Sequence, residues 1–181
     1  MLERLRLPFS VEAPLTEETR RVGESPRALA RRLALAKAWS VAKNNPASLV
    51  IGADQVLNLK GQPLGKPGSE AAAKQQLATL SGQRVVFHSA IALVSQRHAR
   101  VCVVDCYAQF RRLSPSQIRF YVDSESVTDT AGSAKAEGLG ISLLQELSSS
   151  DPTAIIGLPL IALSNLLRQE NVDPIKEHQT P

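Results

Sequence analysis

The stretch Ser48-Leu49-Val50-Ile51-Gly52-Ala53-Asp54 decides how the rest of the chain is read. It is a short apolar run carrying the β-branched Val50 and Ile51, bounded upstream by Asn44, Asn45 and Pro46, and it reads as a buried strand. Asp54 comes directly at its end. In α/β sheets ligands gather at the carboxyl ends of strands, and the small Gly52 and Ala53 let a substrate approach closely. An acid at that place can hold a metal or take a proton from water. A turn-forming Asp at a strand end has the same local sequence, so Asp54 alone does not decide between the two.

Upstream of the strand, Ser25 reads as a helix N-cap with Pro26 at the first helical position, and Leu29, Leu33, Ala36 and Ser40 follow at helical spacing to about Lys43. Downstream, Asn58 to Gly61 reads as a hairpin turn, and Gly65-Lys66-Pro67-Gly68 is a loop that cannot be helical. Ser69 caps a helix that ends at Gly82. Arg84–Val94 and Arg100–Phe110 read as two long strands joined by a turn at 96–99. Ser114-Pro115 starts a short helix through about Tyr121, and 124–140 is irregular. Ile141–Leu147 fits strand or helix equally. Asp151-Pro152 opens a helical turn, Gly157-Leu158-Pro159 interrupts it, and Leu160–Leu167 is an apolar helix. Residues 1–170 read as one domain, and 171–181 as a polar, frayed tail. Strands and helices mix without strict alternation, which predicts an α/β fold with a mixed sheet.

The bulk numbers agree with one domain and a sizeable core: 181 residues, 43% of them hydrophobic but only 4% aromatic, so Leu, Ile, Val and Ala build the interior. The net charge of +4 is scattered and lacks aromatic interleaving, which makes nucleic-acid binding a poor expectation. The longest apolar run, Ala154–Leu163, is too short to cross a bilayer and contains Gly157 and Pro159. The first residues lack the uninterrupted apolar stretch of a signal peptide. Cys102 and Cys106 lie about 13 Å apart if both sit on one strand, too far for a disulfide. Reduced thiols and no membrane segment lead to the expectation of a cytoplasmic protein.

Other residues invite chemistry. Lys66, flanked by Gly65 and Pro67, loses less entropy on binding phosphate than a lysine on an open helix, although a solvated turn lysine reads the same way. Lys37 sits at the edge of the apolar face of its helix, where a snorkelling role is equally natural. Glu17 and Glu18 lie in a polar loop. Glu137 precedes Gly138 in a Gly-rich segment, where a buried carboxylate would need a donor such as a base edge, while an exposed one carries no meaning on its own. Trp39, the only tryptophan, offers a face for stacking on a base, but core packing is the stronger expectation.

The order of these residues carries more weight than any one of them. Ile51-Gly52-Ala53-Asp54-Gln55-Val56, then Leu64-Gly65-Lys66-Pro67, then Leu80-Ser81-Gly82 resembles the central signature of the Maf family of nucleotide pyrophosphatases. Arg32-Leu33-Ala34 with Lys37-Ala38 resembles the family's first long helix, and Ala131-Gly132-Ser133, Glu137-Gly138 and Gly157-Leu158-Pro159-Leu160 resemble its C-terminal half. The resemblance implies a two-lobed α/β fold, similar to inosine triphosphate pyrophosphatase, with the site in a cleft. It implies cleavage of nucleoside triphosphates between the α and β phosphates with a divalent metal (Mg²⁺ or Mn²⁺), and a homodimer. By the same resemblance Asp54 is the catalytic acid residue that accepts a proton, Lys37 and Lys66 face phosphates, and Glu18 helps Asp54 hold the metal. Gln55 and Glu137 resemble the branch that hydrolyses 7-methyl-GTP. A non-catalytic nucleotide-binding role, or another nucleotide preference, is the alternative.

One departure is visible. The family opens with a strand and a Ser-x-Ser-Pro-x-Arg loop that cradles phosphates, whereas Met1-Leu2-Glu3-Arg4-Leu5 resembles the helix after that loop. Ser25-Pro26-Arg27 is no substitute, because its neighbours match the later helix. The expectation is therefore a chain that folds but has impaired activity.

Overall fold

In the computed structural model, which describes residues 1–96 and 98–176, local sequence rules set most element boundaries. Ser25 Oγ accepts the Ala28 N–H at 3.2 Å and Pro26 fills the first turn, so helix α1 spans Pro26–Ala42. Ser69 does the same for α2, Glu70–Leu80. Ser114 and Gln117 form a reciprocal capping box for α3, Pro115–Ser124. The fourth helix, α4, covers Leu160–Gln169. Five strands, β1 (Val50–Leu59), β2 (Gln62–Leu64), β3 (Arg84–Val94), β4 (Ala99–Phe110) and β5 (Leu144–Ser149), form one sheet in the order β2-β1-β3-β4-β5. The α/β class is as expected. The strand directions are not mixed: every pairing among the described residues is antiparallel. α2 connects β2 to β3 on the far side of β1; both strands run antiparallel to β1 and so parallel to each other, but β1 lies between them and no parallel pair forms.

Side chains alternate across this sheet with period two. Ala90, Ala92 and Val94 of β3 pack with Leu29, Leu33 and Ala38 of α1. Ile91 and Leu93 face the other way and pack with Leu163 and Leu167 of α4. Val85 and Phe87 share that second face and join Leu77 and Leu80 of α2 and Tyr121 of α3. One face is thus covered by α1, the other by α4 at one end and by α2 and α3 at the other.

β1 is longer than its apolar run. It continues through Asp54 to Leu59, so Asp54 lies within the strand and not at its end. Its polar residues bond through their side chains, outside the ladder. Asp54 bonds Lys37, Gln55 bonds Ser89, and Asn58 bonds His88. Trp39 is a second correction. It is 39% exposed, because the buried face of α1 runs through Leu33, Ala34 and Ala38 and the next residue turns out of it. The ambiguous 141–147 segment is both things in turn, a 3-10 helix at Leu139–Leu143 followed by β5. Cys102 and Cys106 are free thiols, and burial pushes that of Cys106 up to about 11, which suits an inert core position. No helix among the described residues is long and apolar enough to cross a membrane. Residues 177–181 of the polar tail lie outside the described residues.

Candidate functional site

Gly52 is where the sheet admits the site. A Cβ there would lie 2.3 Å from Ala34 O and 2.6 Å from Ala38 N. Only glycine lets α1 approach β1 this closely, and that approach brings Lys37 over Asp54. Lys37 Nζ donates to Asp54 Oδ1 at 2.7 Å and lies 2.7 Å from Glu18 Oε1. Glu18 arrives on an irregular segment that is tied to α1. The guanidinium of Arg32 grips Glu24 with two bonds, of 2.7 and 2.9 Å, and donates to Thr19 O at 3.0 Å.

The charges are unequal in depth. Asp54 is held above the ordinary carboxylate range, because burial outweighs the pull of Lys37. Glu18, more exposed, is lowered by its bond to Lys37. Burial works against the charge on Lys37, but its bonds to Asp54 and Glu18 raise it above its ordinary value. The cluster therefore holds a permanent ammonium beside a carboxylate that takes up a proton more readily than a free Asp does.

These residues line a cavity of about 730 Å³, and so do Gln55, Lys66 and Glu137. All six site residues expected from sequence thus share one cleft. β1 pairs with β3 over 50–58 but with β2 only over 57–59, so no described strand covers its outer edge at Ala53–Val56. The cleft opens across that edge. This explains how Asp54, on the α1 face, and Gln55, on the opposite face, both reach it. It also replaces the strand-end argument for Asp54.

Lys66 is exposed and has no hydrogen bond or ion pair among the described residues, yet its charge acts on both Asp54 and Glu18. Its loop is fixed by Gln76 Nε2 donating to Gly65 O (3.0 Å) and by Gly68 N donating to Thr128 O (2.9 Å). Glu137 is also exposed, not buried, and likewise has no partner among the described residues. The segment around it is held by Lys135 N donating to Tyr121 Oη (3.0 Å) and Leu139 N donating to Glu125 Oε1 (2.9 Å). No hydrogen bond or ion pair joins Glu137 to the Lys37 cluster among the described residues, although both line the cavity.

The sequence marks Gly157-Leu158 as a motif but gives no sign that Ile155, Ile156, Gly157 and Leu158 form a wall of this cleft. Asp151 builds it. Buried at 2% exposure, it accepts four hydrogen bonds, from Thr153 N and Oγ1 and from Ile161 N and Ala162 N at the start of α4. The single Thr153 hydroxyl proton is shared between Asp151 Oδ1 and Leu158 O, 2.7 and 2.9 Å away. Asp151-Pro152-Thr153 with a helix start nine residues on was the available signal. Two other candidates fall elsewhere. Glu17 lines a separate groove with Trp39. Arg27 reaches β4, donating to Val103 O at 3.3 Å, so Ser25-Pro26-Arg27 does not contribute to the cleft.

The Maf-like protein family matches residues 1–170. The chain belongs to the Maf family. Among its Maf relatives, a 7-methyl-GTP pyrophosphatase of Bordetella avium is 53% identical over 176 residues, 97% of this chain and 89% of the relative. Proteins of the same description from Bordetella pertussis and Cupriavidus pinatubonensis are each 48% identical, over 98% and 93% of this chain and 89% and 86% of theirs. The six cleft residues therefore lie inside a Maf domain that is shared nearly from end to end with these relatives.

Whether the cleft suits a divalent cation can be judged from its donors. Among the described residues no group of three or more His, Cys, Asp or Glu is placed to hold a metal ion. Asp54 and Glu18 are two carboxylates joined through Lys37, each with a second oxygen outside that bridge. One or two carboxylates plus substrate phosphates is the usual protein contribution to a Mg²⁺ site. The pair fits a cation that arrives with a nucleotide.

Proposed function

We propose that this chain is a nucleotide pyrophosphatase that hydrolyses 7-methyl-GTP to 7-methyl-GMP and pyrophosphate. The observation that carries the reading is one cleft lined by the Lys37–Asp54–Glu18 cluster, by Lys66 and by the unpaired carboxylate of Glu137. The description of the relatives supports the same substrate.

Lys37 and Lys66 meet the triphosphate, and Asp54 takes a proton from the attacking water. The water oxygen bonds to the α-phosphorus as the bond to the bridging α–β oxygen breaks, and pyrophosphate leaves. The raised affinity of Asp54 for protons suits that task. Two lysines face four acids, Glu18, Asp54, Asp129 and Glu137, along the cavity. Lysines alone do not neutralise a triphosphate there, so a divalent cation held by Asp54 and Glu18 is part of the proposal. Such a cation, when bound, offsets phosphate charge and polarises the scissile bond.

At the base, 7-methylguanine carries a positive charge and N–H donors on one edge. The Glu137 carboxylate accepts such donors in charge-assisted bonds. A cytoplasmic setting agrees with the two free thiols, and a homodimer belongs to the same proposal. The test is pyrophosphate release from 7-methyl-GTP, GTP, UTP and dTTP in parallel. A preference for 7-methyl-GTP supports the reading, and nucleotide binding without release from any of them would make the chain a binding protein.

A further inference from the structure

Ser89 is fully buried on β3, on the face opposite α1. A polar group at 0% exposure needs partners, and both of its partners concern the cleft. Its hydroxyl donates to Ala154 O at 2.6 Å and accepts from Gln55 Nε2 at 2.9 Å. Gln55 Nε2 also lies 2.9 Å from Ala154 O and 3.1 Å from Ile155 O. The amide nitrogen is thus ringed by three acceptors, which share its two hydrogens.

This ring fixes the polarity of the amide. Turned over, Gln55 would set its carbonyl oxygen against two backbone carbonyls, and the one hydroxyl nearby already gives its proton to Ala154 O. Gln55 Oε1, by contrast, has no partner among the described residues and is not enclosed: the one enclosed side-chain polar atom without a partner there is Thr16 Oγ1. Gln55 lines the cleft, so Oε1 is the atom it offers to a ligand.

We propose that Ser89 is a positioning residue for base selection. It locks Gln55 so that the cleft meets an acceptor, Oε1, and never the amide donors, and it ties the Ala154–Ile155 wall to the sheet at the same point. Resting on the pyrophosphatase reading above, this deepens it. Gln55 Oε1 and the Glu137 carboxylate are then two acceptors for a base that presents two or more N–H donors on one edge, which guanine and 7-methylguanine do and uracil, with one, does not.

The experiment measures kcat and KM for 7-methyl-GTP, GTP and UTP on Ser89→Ala, Gln55→Ala and the double variant. Loss of the lock raises KM for the preferred purine about tenfold, the worth of one net hydrogen bond, leaves kcat within about twofold, and narrows the preference over UTP. In the Gln55→Ala background Ser89→Ala adds nothing further to that preference, because the two act as one unit. Ser89→Thr, which keeps the hydroxyl, restores it. An equal fall in kcat on all three nucleotides, or additive effects in the double variant, overturns the proposal. If Ser89→Ala does not fold, Ser89→Cys keeps the volume with a weaker donor and is read the same way. If the wild-type chain prefers another base, the 7-methyl-GTP assignment falls, while coupling between Ser89 and Gln55 on that base still decides this proposal.

Discussion

The ammonium of Lys37 bridges Asp54 and Glu18, with 2.7 Å to each carboxylate, and Asp54 is nevertheless pushed above the ordinary carboxylate range by burial. Activity that needs ionised Asp54 falls as pH drops through this raised value, so the acid limb of kcat/KM, which reports the free enzyme, lies above that of a free Asp. Lys37→Ala removes the pull toward ionisation and moves the limb higher still. Asp54→Asn lowers kcat by about 10²- to 10⁴-fold, the usual worth of a positioned base. A pH profile of each variant checks this, and an acid limb unmoved by Lys37→Ala contradicts it.

The same burial has a consequence for stability. A carboxyl with a raised folded-state pKa favours folding while protonated, and that contribution is lost as pH rises through the folded value. At neutral pH the ionised Asp54 is therefore a cost. Because Asp54→Asn alone also removes the bond that raises Lys37, the comparison is made without that lysine: Lys37→Met/Asp54→Asn is expected to melt no lower than Lys37→Met at pH 7, and to lose any advantage below the ordinary Asp range. A thermal melt series against pH reads this out, and a clear fall in Tm at pH 7 argues against it.

Gly52 is the steric condition for the cluster. A Cβ at that position meets backbone atoms of α1 at 2.3 and 2.6 Å, so Gly52→Ala forces α1 away from β1. The expected destabilisation is about 1–3 kcal/mol, as for other overpacked interiors, and kcat falls with it because Lys37 retreats from Asp54. A Gly52→Ala variant with unchanged Tm and kcat would show that the helix does not need this approach.

Glu24 gives the opposite pH signature. Its bonds to Arg32 hold it down at about 2, from an ordinary 4.5, so its contribution to stability is present above the ordinary value and lost as pH falls toward about 2. Glu24→Gln is expected to cost about 1 kcal/mol at neutral pH, in the range of a bidentate pair near the surface. It should also loosen Glu18, raising KM. Melts at pH 7 and near pH 2 should differ by that amount in the first case and converge in the second.

Much of the fold was legible because it is written in local rules. Ser25-Pro26, Ser69 and Ser114-Pro115 each start a helix where a cap is needed, and the long β-branched runs at 84–94 and 99–110 are strands. The cleft residues were legible only through their order along the chain. Nothing local marks Lys37 or Glu18 as partners of Asp54; the contact is made by Gly52 and by the Arg32–Glu24 tie. The apolar run ends at Ala53 but β1 continues, because Asp54, Gln55 and Asn58 find side-chain partners on α1 and β3 that the local sequence does not show. Trp39 was misplaced because hydrophobicity alone does not say on which side of a helix edge a residue falls. Ser89, one serine in an apolar strand, gave no local signal.

Glu137 is exposed and unpaired in the cleft, so removing its charge disturbs little else. Glu137→Gln is expected to leave Tm within about 0.5 kcal/mol of stability, as surface substitutions do, while lowering kcat/KM for 7-methyl-GTP more than for UTP or dTTP. Equal losses on every nucleotide would place Glu137 outside base recognition.

The most direct test of the central claim is pyrophosphate release by the wild-type chain from 7-methyl-GTP, GTP, UTP and dTTP with Mg²⁺ or Mn²⁺, with Asp54→Asn run beside it. The account predicts release that is fastest per molar substrate from 7-methyl-GTP and nearly absent in Asp54→Asn. Release that persists in Asp54→Asn, or no release from any of the four, would contradict it.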